Sequence, residues 1–143
     1  MSKLNTRSER ILAMGLDTYA AYGRNHHKYD PNPEASNLVP NKLFPQNNLC
    51  GGMFSGGGNS FRGKVYDSWV QFCTDVSLYE EEIPADTVAE MYEELRKMTT
   101  LHYFAQFCQD GHNSYDISFE ETQDLLEWFK VVKDEGATIV GWW

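Results

Sequence analysis

Between residues 24 and 60 proline and glycine recur so often that no long helix or strand can run through the segment. Pro31, Pro33, Pro40 and Pro45 each lack an amide donor, and Gly51, Gly52, Gly56, Gly57 and Gly58 each cost backbone entropy when ordered. A quarter of the chain must therefore be an irregular excursion. Leu38, Val39, Leu43, Phe44, Leu49 and Phe54 are scattered through it, as expected of a segment pinned to a core rather than a free linker. Irregular segments this long in compact domains are usually either functional or partly disordered.

The flanking sequence reads as helices. Thr6 and Glu9 form a capping-box pair, and Ile11, Leu12, Leu16, Tyr19 and Ala20 fall near one helical face, so a first helix is expected over 6–22, ended by Gly23. Ser60 fits an N-cap for a helix over 61–74 carrying Phe61, Val65, Trp69, Phe72 and Cys73. Val88, Met91, Tyr92, Leu95 and Met98 make an apolar stripe after Pro84, giving a helix over 85–98 with acids near its start and Arg96 and Lys97 near its end. Residues 100–109 fit both periods: Leu101, Phe104 and Cys108 suit a helix, whereas Leu101, Tyr103, Ala105 and Phe107 alternate like a strand. Helix is the preferred reading, ended by Gly111. A second capping box, Ser118 and Glu121, opens a helix over 119–134, and the tail ATIVGWW reads as one short strand or an extended segment with both tryptophans packed down. The expected fold is a mainly α single domain, 1–143, of four or five helices with the Pro/Gly-rich excursion; the alternative is α+β with a small sheet from 100–108 and 137–142.

With 143 residues the chain can bury roughly 68–70% of its unfolded surface, enough for a core without staples. Cys50, Cys73 and Cys108 are too few and too far apart for a disulfide framework, so they read as small buried hydrophobes in a reducing compartment. Arg7, Glu9 and Arg10 interrupt the only apolar stretch near the N-terminus, and no run approaches the length of a membrane span, so a cytoplasmic, membrane-free protein is expected. Net charge is −9 but unevenly spread: residues 1–64 carry eight Lys/Arg against four Asp/Glu, and residues 65–143 carry four against seventeen. Either the two halves neutralise each other, or they present a basic face for an anion and an acidic face for a basic partner. The overall acidity speaks against nucleic acid.

Gly58 to Lys64 matches the first seven places of the phosphate-loop pattern, but Val65 stands where a Mg²⁺-ligating Ser or Thr is needed and no clear strand precedes it. A nucleoside-triphosphate fold is not expected. A simpler anion site remains: free amides at a Gly-rich helix start, with Asn59, Ser60, Arg62 and Lys64 adding donors. The competing reading makes the glycines a tight turn and places Arg62 and Lys64 on a solvated face. His26, His27 and Asp30 form a second polar cluster able to move protons, although adjacent histidines do not converge as metal ligands must. His102, Cys108 and His112 have no zinc spacing, Ser55 lacks the nucleophile-elbow context, and no cysteine has an evident base. Glu80, Glu81 and Glu82, with Glu90, Glu93 and Glu94, read as a solvated face or a docking surface for a basic partner.

The function expected is therefore non-enzymatic binding or regulation through the 24–64 excursion, with a protein partner or a small anionic ligand. No cofactor or metal is expected, and the oligomeric state is left open. Such a protein should expose an apolar patch of several hundred Å². The alternative is a small hydrolase-type enzyme joining His26, His27 and Asp30 to the 59–64 segment.

Overall fold

The helical stripes of the C-terminal half form as their spacing requires. In a computed structural model, which describes residues 15–22, 38–45, 47–51 and 60–143, the elements are β1 (Asp17–Ala21), β2 (Ser60–Arg62), α1 (Gly63–Thr74), β3 (Glu82–Ile83), α2 (Ala85–Met98), α3 (Leu101–Gln109), α4 (Phe119–Asp134) and β4 (Thr138–Trp142). In α2 the buried residues are Val88, Met91, Tyr92 and Leu95, four members of the predicted stripe. The capping box of α4 is closed in both directions, with Glu121 N donating to Ser118 Oγ and Ser118 N donating to Glu121 Oε1, each at 3.2 Å. Residues 101–109 are helical; Thr100 caps them by accepting from Tyr103 N at 3.2 Å, and Gly111 follows at φ 79°. Among the described residues no helix is long and apolar enough to cross a membrane.

The expected mainly α class is wrong. Four antiparallel strands in the order β2-β1-β4-β3 make the fold α+β. That was the alternative class, although its sheet draws on 17–21, 60–62, 82–83 and 138–142 rather than on 100–108. The difference begins at β1, whose apolar residues fit the end of the expected helix over 6–22 equally well; residues 6–14 of that helix lie outside the described residues. All five β1 residues are buried. A strand covered on both faces loses its alternation of apolar and polar residues, and a short apolar run then fits either period. Ser60 is likewise no N-cap: it sits in β2, and α1 begins three residues later with no side-chain cap.

Strand register sorts the side chains into two faces, because residues directly opposite each other point the same way. Ala20, Ile139, Ile83 and Phe61 face the helices and join Trp69, Val88, Leu125 and Trp128 in the main core. Trp128 is fully buried, stacked on Phe44 at 5.8 Å and met edge-on by Phe61 at 4.8 Å. Tyr19, Ala21 and Val140 occupy the opposite face, with Leu38 and Trp142 against them. Gly63 lets α1 press onto β1: a Cβ there would overlap Thr18 Oγ1 and come 2.7 Å from Leu16 Cδ2.

The described parts of the excursion are tied down. Leu38 bridges Ala21, and Val39 N donates to Ala20 O at 3.2 Å, extending the sheet where β2 stops. Further along, Cys50 N donates to Tyr66 Oη, which donates to Glu121 Oε2 at 2.6 Å, and Asn48 N donates to Asp124 Oδ2 at 2.9 Å. Burial and the Glu121 contact hold the Tyr66 phenol well above its ordinary range. Only Cys73 follows the expectation of a buried thiol; Cys50 and Cys108 are exposed.

Candidate functional site

Register also assembles a concave surface. Asp17 lies opposite Arg62 on one neighbouring strand and Trp142 on the other, so the three side chains form a row across the end of the sheet. Strand spacing puts the outer two roughly 10 Å apart at the backbone. Around this row opens a cleft of about 550 Å³ lined by Gly15, Leu16, Asp17, Gly51, Arg62, Trp142 and Trp143, within the range of small-molecule sites. Arg62 is exposed, Asp17 is buried, and both tryptophans are half-buried. The expectation that the tryptophans would be packed down is thus met only in part: each keeps an aromatic surface toward the cleft.

A buried carboxylate holds the segment that packs against Trp143. Asp67, 3% exposed on α1, accepts from Leu78 N at 2.7 Å, from Gln71 Nε2 at 2.7 Å and from Ser77 Oγ at 3.1 Å. Ser77 Oγ in turn accepts from Tyr79 N at 3.0 Å, and the Tyr79 ring meets Trp143 edge-on at 5.8 Å. Burial pushes the Asp67 carboxyl above its ordinary value, with the three hydrogen bonds opposing that rise. The Tyr79 phenol is pushed up to about 12, by burial first and then by the Asp67 and Tyr115 charges. The same 78–81 segment packs on β4, where Gly141 N donates to Glu81 O at 3.3 Å.

The residues singled out in the sequence fare differently. His26, His27, Asp30 and Asn59 lie outside the described residues. Ser60 is 3% exposed, and its Oγ has no hydrogen-bond partner. It shares a sheet face with Arg62, two residues away, so an unpartnered hydroxyl lies in the row behind the cleft. Lys64 stands half-buried in the first turn of α1 and does not line the cleft. The phosphate-loop geometry is absent at 62–64, since Arg62 N donates to Cys50 O at 2.7 Å and Gly63 N to Leu16 O at 2.9 Å. Two amides that such a loop would turn toward phosphate are spent on the backbone. Sequence reasoning missed Asp17, Trp142 and Trp143 as site residues, and nothing local marks them, because positions 17, 62 and 142 meet only through strand pairing. Among the described residues no group of three or more His, Cys, Asp or Glu side chains is arranged to hold a metal ion.

Compared with known proteins, the chain matches no family model, no curated protein and no solved structure.

Proposed function

We propose that the chain is a non-enzymatic binding protein whose cleft takes a small anionic ligand with an aromatic or apolar body. One observation carries this reading: Arg62, a planar five-donor cation, stands across the sheet end from Trp142 and beside Trp143 in a single cleft. A guanidinium fork matches a carboxylate or phosphate, and tryptophan faces match a ring. The excursion contributes through Gly51, which lets the backbone approach the ligand closely.

Phenylacetate serves as the probe, with phenylethylamine as its cationic counterpart. Phenylacetate is expected to raise the melting temperature and quench tryptophan fluorescence, while phenylethylamine does neither. Removing a charge-assisted hydrogen bond costs about 1.5–3 kcal/mol, so Arg62→Ala is expected to weaken phenylacetate binding about tenfold to a hundredfold. Lys64→Ala, outside the cleft, should leave it unchanged. Equal binding by the Arg62 variant would end this reading.

A reducing cytoplasm is the setting that fits, because exposed free thiols survive best there. Under native conditions Cys50 and Cys108 are expected to react promptly with a thiol reagent, and Cys73 only after unfolding, since burial raises its thiol pKa and blocks access. Counting labels by mass spectrometry before and after denaturation checks this. A single rapidly labelled cysteine would contradict it.

A further inference from the structure

We propose that α3 and the turn after it form a docking surface for a basic amphipathic helix of a partner protein. This surface is separate from the cleft. Four large apolar side chains are exposed among the described residues, and two of them fall here, Leu101 at 69% and Tyr115 at 46%; Tyr103 at 36% lies on the other side of α3. The nine residues of α3, LHYFAQFCQ, include no Asp, Glu, Lys or Arg, in a chain where such residues make up 23%. Only Phe107 is fully buried; its ring meets Trp69 at 5.2 Å and Phe72 at 5.4 Å. Leu101, Ala105 and Cys108, spaced four and three apart, lie along one side of the helix and are all exposed. A helix held down by its aromatic side alone leaves an apolar stripe in water.

Charge decides the occupant. Asp110 and Asp116 are exposed in the turn that follows α3 and Glu120 in the first turn of α4, and no Lys or Arg occurs between residues 98 and 129. The nearest cations along the chain, Arg96 and Lys97, are already paired with Glu93 at 2.9 Å and Glu94 at 3.7 Å. A second copy would bring the same acidic rim and the same net charge of −9 against it. A helix with an apolar stripe flanked by lysine or arginine covers the apolar side chains and complements the rim.

The probe is a 14-residue peptide of leucine and lysine at helical spacing, with a twin carrying glutamate for lysine. The lysine peptide is expected to bind and to shift the backbone amide resonances of 101–115; the glutamate twin is expected not to bind. Leu101→Asp is the decisive variant. It sits at an exposed first-turn position where an acid suits the helix dipole, so the fold should survive, and an unchanged melting curve confirms that. If apolar docking holds the peptide, this variant loses affinity at least tenfold. Bare charge attraction would make the more acidic variant bind equally well or better, and that result overturns the proposal. So would shifts confined to residues outside 101–115, or a dimer in sedimentation that Leu101→Asp dissolves.

Discussion

Asp67→Ala is expected to lower the free energy of unfolding by about 3 kcal/mol, measured by urea denaturation. The variant leaves Leu78 N, a buried amide, with no acceptor, and an orphaned buried donor costs about 1–3 kcal/mol. It also opens a small cavity and releases Ser77 from α1, which adds to the loss. Asp67→Asn keeps an oxygen for Leu78 N and should cost about 1 kcal/mol or less. The two variants also differ from the parent in pH dependence. Because burial raises the Asp67 carboxyl above its ordinary value of 3.8, the unfolded chain releases that proton at lower pH than the folded chain. The stabilisation tied to the protonated group is complete below pH 3.8 and is lost as pH climbs through the raised folded value. Asp67→Asn has no such proton, so this part of the pH slope should vanish from its stability curve. A loss below about 1 kcal/mol for Asp67→Ala would show that the 75–79 segment is held by packing alone.

Gly141→Ala should cost about 3 kcal/mol, at the upper end for overpacking a well-filled site. A Cβ at this position would lie 2.5 Å from Glu80 O and 3.0 Å from Leu78 O. Both are backbone atoms, so no rotamer change can relieve the contact; either β4 or the 78–81 segment must move. That segment carries Tyr79, which meets Trp143, and Gly141 immediately precedes Trp142. Gly141→Ala should therefore weaken phenylacetate binding along with stability, whereas a surface substitution of equal thermodynamic cost elsewhere should leave binding intact. Thermal melts and the fluorescence titration together test this. A variant as stable as the parent would mean that the 78–81 segment yields freely.

These two positions show where sequence reading reaches its limit. Val88, Met91 and Leu95 announce α2 because a helix places residues three and four apart on one face, and Ser118 with Glu121 announces the start of α4 because its capping bonds span three residues. Those are local relations, legible in any short window. Asp67 stands beside the apolar stripe of α1 and reads as a surface acid; its importance appears only once residues 77–79 fold back over it. In the sequence Arg62 stands out for the glycine run before it and for a phosphate-loop pattern whose geometry is absent at 62–64. It lines a site for another reason, its register with Asp17.

The amino-acid sequence alone determined α2 and α4 to the residue, the Ser118 cap, the Gly111 stop and the lack of a disulfide framework, because each follows from short-range spacing or from counting; for 101–109 it preferred helix while leaving strand open, and for the tail it left strand and extended segment open. Tertiary structure decided the rest. It made β1 a central strand, because burial on both faces erases the alternation that distinguishes strand from helix. Pairing across 17, 62 and 142 brought a cation, an acid and an indole into one row, since only strand register makes such distant positions neighbours.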